Sequence, residues 1–302
     1  MTTRRSGTAA RRPRAGGPGL FKRHLWGDYP LGRSFWVHTL LVGWGLGLLA
    51  AWAASRVGQH HLARHVSMAI LVFQPLAFMV WVWSIVGTWM SAMKHIFDGR
   101  GKRWALIAMF LIASSAFAAI SESPALMPFL REHWEVAHGK QPTPSFSVAL
   151  ADNGRVIDYH GGVNEGAAAA LEKLVNASPK ATTVRLQSPG GWVGEGRRLA
   201  DVVKRYGLKT HVDEGCFSAC TLVFLAGRER TAGAAAQVGF HHSRAIGSRV
   251  GSAGADGDDD EAKLYLAAGL SPAFVQQVLN TPSRQMWVPT RRQLLEAGVL
   301  TR

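Results

Sequence analysis

Ser218 stands in the run Cys216-Phe217-Ser218-Ala219-Cys220, directly before an apolar stretch from Thr221 to Gly227. A serine hydroxyl is a weak nucleophile until a neighbouring base removes its proton. A candidate base follows at His241, which closes the segment Val238-Gly239-Phe240-His241. Upstream, Gln187-Ser188-Pro189-Gly190-Gly191 joins a strand-like run to a helix-like one. Two glycines there let the backbone approach a bound carbonyl and leave N–H groups facing it. Taken singly, each feature has a plainer meaning: a tight turn, a helix N-cap at Ser218, a structural histidine. Taken together they point to acyl transfer, with a hydroxyl, a base and an oxyanion cradle.

The elements expected to position these residues begin at Ser145, where short apolar runs alternate with helical ones. Phe146 to Leu150 and Arg155 to Tyr159 alternate as paired strands, and Thr182 to Gln187, Lys209 to Val212 and Gln237 to Phe240 read as further strands. Asn164 to Ala177, Gly194 to Tyr206, Ala219 to Ala226, Leu264 to Leu279 and Arg291 to Ala297 read as helices. Repeated alternation of this kind implies a mostly parallel sheet covered by helices. The acidic run Asp258 to Glu261 lies in Gly-rich sequence, reads as a solvated loop and lacks the spacing of a calcium loop.

Together, these motifs resemble the ClpP/crotonase superfamily, over roughly Arg155 to Leu300. GRVIDYHGGVNEGAAAALEKL is similar to the family's opening strand, turn and first helix, and SPGG to its oxyanion loop. Within that superfamily, the run around Ser218 resembles membrane-anchored or periplasmic ClpP-like proteins. The resemblance implies Ser218 as nucleophile and His241 as general base, with the Gly191 and Ala219 N–H groups as oxyanion hole. The family's third member, an aspartate, belongs in a segment resembling Thr281 to Val288, which reads TPSRQMWV and holds no carboxylate. Ser283 or Gln285 is the candidate orienting residue, or one of Asp256, Asp258, Asp259 and Asp260 folding back. A neutral group can fix an imidazole tautomer, at a cost in rate.

The remainder of the chain has a different texture. Of the 34 Lys and Arg, 14 fall in residues 1–121 against only Asp28 and Asp98, so the net charge of +14 belongs almost wholly to the first part. Three uncharged apolar runs lie there: Phe35 to Ala54, Ser67 to Met93 and Trp104 to Ile120. Each is long enough, the last barely, to cross about 30 Å of hydrocarbon. Eight of the eleven tryptophans lie at or before Trp104, as interfacial anchoring favours. The basic clusters flank the apolar runs, so they argue for membrane orientation rather than for nucleic acid. Arg-rich flanks before the first run and between the second and third place both on the cytoplasmic side.

The expected organisation is therefore a basic disordered tail over 1–34, three transmembrane helices over 35–120, a linker over 121–144 with a short helix near Phe129 to Ala137, and an extracytoplasmic ClpP-like domain over 145–302. The setting is a bacterial inner membrane, with the domain periplasmic. Ala116-Phe117-Ala118 also resembles a signal-cleavage site, against which a retained anchor is preferred. Cys216 and Cys220 exclude a multi-thiolate zinc site, and outside the cytoplasm they either bridge or simply pack as small buried residues. His60, His61 and His65 have no carboxylate or cysteine nearby, so neither a metal nor a cofactor is expected.

The function these features favour is a membrane-tethered serine hydrolase of peptidase type. Its partners would be the lipid bilayer, a protein or peptide substrate outside the cytoplasm, and further copies of the chain. One competing reading is a non-catalytic ClpP-fold module for binding or assembly. The other is a crotonase-type acyl-thioester enzyme, disfavoured where coenzyme A is not expected.

Overall fold

The computed structural model describes residues 19–49, 52, 63–244, 246 and 255–302, with backbone alone for 255–260. The chain divides into two compact units, Met1–Trp52 with Phe73–Glu122, and Ala53–Val72 with Ser123–Arg302.

In the first unit, α1 (Leu20–Leu25) and α2 (Leu31–Arg33) fall within the stretch expected to be a disordered tail. What orders them is packing: the Trp83 indole N–H donates to Phe21 O at 3.2 Å, and His24 is buried with its ring 4.4 Å from that of Trp83. The first apolar run continues from α2 as a π-helical stretch, Ser34–Trp44. Residues 50, 51 and 53–62, including the end of that run and His60 and His61, lie outside the described residues. The second and third runs belong to α3 (Ala63–Phe97) and α4 (Lys102–Ala137). By length and composition these two helices are apolar enough to cross a membrane. Hydroxyls join the helices: Thr39 Oγ1 lies 2.7 Å from Thr88 Oγ1, which donates to Ser34 O at 2.9 Å. Small polar side chains often bridge helices in this way where water is absent.

The segment expected as a linker is helical as far as Ala137, because α4 runs through Pro124 and Pro128 without a break. Proline interrupts the hydrogen-bond ladder of a helix but need not end it.

The second unit holds a six-stranded sheet: β1 (Phe146–Ala151), β2 (Val156–Gly161), β3 (Thr183–Ser188), β4 (Lys209–Phe217), β5 (Arg230–Ala232) and β6 (Gln237–Gly239). β1 pairs antiparallel with β2, and every other pairing is parallel. β4 is longer than its apolar start suggests. Its first part pairs with β5 through Thr210 to Val212, and its last part with β6 through Gly215 to Phe217. Polar Asp213 and Glu214 mask that continuity in the sequence. The helices are α5 (Ala167–Ala177), α6 (Val193–Arg205), α7 (Cys220–Leu225), α8 (Ala255–Ala267), α9 (Pro272–Leu279) and α10 (Arg291–Glu296). The expected single helix over Leu264 to Leu279 is two, because Gly269 takes a φ of 87° and Pro272 opens α9 behind Ser271. The expected acidic loop is the helix α8.

The core lies between the sheet and its helices, with Ile157, Leu171, Val184, Leu199, Val212 and Phe224 fully buried. Because β3, β4 and β6 are parallel neighbours, their carboxyl ends open on one edge. Those ends carry SPGG, Ser218 and His241, and loops at the carboxyl ends of parallel strands commonly host active sites.

Candidate active site

Ser218 follows β4 and takes a φ of 53°, a left-handed conformation that a non-glycine residue adopts at a cost of about 1–3 kcal/mol. Several contacts impose it. Cys216, the penultimate residue of β4, is disulfide-bonded to Cys220, the first of α7, so the covalent ring encloses Ser218, with 5.4 Å between the Cα atoms. The Ser218 N–H donates to Gly239 O at 3.0 Å, and Thr221 returns its N–H and its hydroxyl to Ser218 O at 2.8 and 2.7 Å. The side chain is thereby lifted out of the strand and aimed across the end of β6.

There it meets His241, whose Nε2 lies 2.7 Å from Ser218 Oγ. The other ring nitrogen, Nδ1, lies 2.8 Å from the His242 carbonyl oxygen. A carbonyl can only accept, so Nδ1 carries the proton of the neutral ring and Nε2 presents its lone pair to the hydroxyl. That tautomer is the one a general base requires.

The glycine loop closes over this pair. Gly190 has a φ of 97°, and a Cβ placed on it would stand 2.7 Å from both Phe217 O and Ser218 Cβ and 3.2 Å from Ala219 N. Only glycine allows so close an approach to the turn at Ser218. Gly191 is held as a bridge to Val163, with Val163 N–H on Gly190 O at 2.7 Å and Trp192 N–H on Val163 O at 2.8 Å. Among the described residues, neither the Gly191 nor the Ala219 N–H donates to a protein group. Backbone N–H groups without a protein acceptor are the kind of donor an oxyanion would need.

Neither candidate orienting residue reaches the histidine. No hydrogen bond joins Ser283 or Gln285 to His241, and Gln285 is exposed, its N–H donating to Pro282 O at 2.8 Å. The side chains of Asp256 and Asp258 to Asp260 lie outside the described ones. The Thr281 to Val288 segment instead clamps the histidine's backbone on both sides. Phe240 and Trp287 exchange N–H and carbonyl at 2.8 and 2.9 Å, and His242 N–H donates to Thr281 O at 2.9 Å. Phe240 is fully buried against the rings of Phe274, Tyr265 and Trp287, with centroids 5.1, 6.2 and 6.4 Å away. Arg244, further along, forms two hydrogen bonds to Glu132 of α4, at 2.6 and 3.1 Å.

A carboxylate does stand behind His241. Glu261 on α8 is only 7% exposed and accepts from Ser243 Oγ at 2.7 Å and Ser243 N–H at 3.1 Å, with the Tyr265 hydroxyl at 3.4 Å. Its Oε2 lies 3.7 Å from His242 Nε2. Burial, with Glu261 beside it, holds the Tyr265 phenol above its ordinary range, so the O–H is retained as a donor. Sequence inspection missed this residue because it ends an acidic run that looks solvated. The available signal was its helical spacing to Tyr265, one turn along, which puts both on one face.

Neither a protein-family model nor a curated protein matches the sequence. Solved structures similar to it include ClpP1 from Listeria monocytogenes, at 19% identity over 49% of this chain and 89% of that one, with a TM-score of 0.40. A point mutant of the same protein gives 17% identity, 49% and 90% coverage and a TM-score of 0.39. An enoyl-CoA hydratase from Mycobacterium avium subsp. paratuberculosis gives 17%, 53%, 68% and 0.37.

Proposed function

We propose that this chain is a membrane-tethered, ClpP-like serine hydrolase of peptidase type, with Ser218 as nucleophile and His241 as base. The observation that carries the reading is the 2.7 Å contact between Ser218 Oγ and His241 Nε2, with the Nδ1 proton committed to a carbonyl. In the reaction, the hydroxyl proton passes to Nε2 as Oγ bonds to the scissile carbonyl carbon. The Gly191 and Ala219 N–H groups receive the oxyanion. The proton then moves from Nε2 to the departing amine as the C–N bond breaks, and water, activated by the same nitrogen, releases the acyl group. The neutral partner on Nδ1 favours a slower enzyme than one with a direct carboxylate.

The tether is the three apolar runs, with the N-terminus cytoplasmic and the Ser218 unit in the periplasm of a bacterial inner membrane. A disulfide at Cys216–Cys220 fits an oxidising compartment. Reporter fusions after Gly101 and after Lys140 should report opposite sides, and a cytoplasmic signal from the second would sink this placement.

The enzymatic reading is tested with a fluorophosphonate probe on the full-length protein in detergent. Ser218→Ala should remove labelling, and His241→Ala should slow it at least 100-fold, as for paired groups that act as a unit. Labelling that survives in Ser218→Ala, or a folded wild type that never labels, would leave a binding or assembly module of the same fold.

A further inference from the structure

We infer that Glu261 is a positioning residue for His241, acting through the peptide group between His242 and Ser243. This inference rests on the reading of Ser218 and His241 as nucleophile and base.

The two ends of one peptide group are engaged on opposite sides. Its carbonyl, on His242, accepts the Nδ1–H of His241 at 2.8 Å. Its N–H, on Ser243, donates to Glu261 Oε2 at 3.1 Å. An amide whose N–H is held by an anion shifts electron density toward its own oxygen, and hydrogen bonds arranged in series strengthen one another in a medium of low dielectric. The carbonyl that faces His241 is thus a stronger acceptor than an ordinary one, and the arrangement Ser218–His241–peptide–Glu261 carries the influence of a negative charge to an imidazole that no carboxylate among the described side chains touches. When Nε2 takes the serine proton the ring becomes positive, and that influence stabilises it.

Glu261 is built into place rather than left at the surface. Ser243 Oγ donates to the oxygen that takes the peptide N–H, at 2.7 Å, and Tyr265 from the same helix approaches the other oxygen at 3.4 Å. Tyr265, 3% exposed, packs its ring on that of Phe240, the residue before His241. A carboxylate withdrawn from water is tolerated only with such donors. A purely structural role would need an acceptor here but no charge, and this separates the two explanations.

The test uses full-length protein in detergent, Glu261→Gln, Glu261→Asp, and two readouts. One is the rate of fluorophosphonate labelling of Ser218. The other is the proton resonance of the His241 Nδ1–H, found downfield of the amides and assigned by its absence from His241→Gln. Glu261→Gln keeps size and an acceptor but removes the charge. It should slow labelling about fivefold to tenfold, the scale of one hydrogen bond's net contribution, and move the resonance upfield. Glu261→Asp keeps the charge on a shorter arm and should lose less on both readouts. An unmoved resonance and rate in Glu261→Gln, with Glu261→Asp the worse of the two, would overturn the proposal in favour of a space-filling acceptor. A wild type that does not label at all defeats the hydrolase reading, and the resonance then decides alone. Unchanged in Glu261→Gln, or absent from the wild type, it overturns the role of Glu261; moved in Glu261→Gln and kept in Glu261→Asp, it supports that role.

Discussion

The two halves of the candidate site are held by different means. Around Ser218 the restraint is local and partly covalent: a disulfide spanning Cys216 to Cys220, a left-handed turn, and a glycine loop seated on the Ser218 Cβ. Around His241 the restraint comes from far along the chain. Phe240 is pinned by Trp287, Phe274 and Tyr265, His242 by Thr281, and Ser243 by Glu261. A nucleophile must be presented in one strained geometry, which short-range constraints achieve well. A base must be oriented at both ring nitrogens, and the second of these depends on how α8, α9 and the Thr281 to Val288 segment pack.

The contrast predicts that substitutions in the glycine loop against Ser218 depress reactivity more than stability, and that those in the packing behind His241 do the reverse. Apart from Ser218 and His241 themselves, the largest effect on reactivity is expected for Gly190→Ala. Its methyl would stand 2.7 Å from Phe217 O and Ser218 Cβ at a φ of 97°. Relief requires moving the loop that carries the Gly191 N–H, so probe labelling should fall at least 100-fold, the cost of an oxyanion donor. Stability measured by urea unfolding should fall by only about 1–3 kcal/mol. Phe240→Ala should behave in the opposite way. It empties a fully buried ring site and should cost about 3–5 kcal/mol, with labelling of the folded fraction reduced about tenfold. If Phe240→Ala proves the less destabilising and the more damaging to labelling, the contrast fails.

The same division governs what was legible before any coordinates. The parallel sheet and most of its helices followed from strand-like and helical alternation, and Ser218, His241 and the glycine loop stand in compact motifs whose chemistry shows in neighbouring residues. The orienting side did not. Ser283 and Gln285 were reasonable candidates on sequence position, yet their segment supplies backbone clamps at Thr281 and Trp287 rather than a side chain for Nδ1. A main-chain carbonyl has no residue type, so nothing in the letters of His242 announces it as the Nδ1 acceptor. Glu261 was hidden by its company, since burial of one carboxylate at the end of an acidic run is a tertiary fact. The continuation of α4 past Ile120 was hidden likewise, because Pro124 and Pro128 ordinarily signal an end.

The smallest expected effect sharpens the contrast most, because it asks how much of the serine's restraint is covalent. Reducing Cys216–Cys220, or replacing both with alanine, opens a ring of five residues, for which chain entropy predicts a loss of about 2 kcal/mol. The turn would still have the Ser218 N–H on Gly239 O at 3.0 Å, the Thr221 N–H on Ser218 O at 2.8 Å, and the glycine loop packed against it. Those bonds fix the same backbone conformation without the sulfurs, so labelling should fall only about threefold, a change of well under 1.4 kcal/mol in the barrier. The measurement compares labelling rates and urea midpoints of the same protein before and after reduction, with the Ala pair as a check on side reactions of the thiols. A loss of 100-fold or more would mean that the covalent ring alone holds Ser218 in its left-handed conformation. No change in either quantity would reduce the two sulfurs to packing, leaving the hydrogen bonds and Gly190 as the whole of the local restraint.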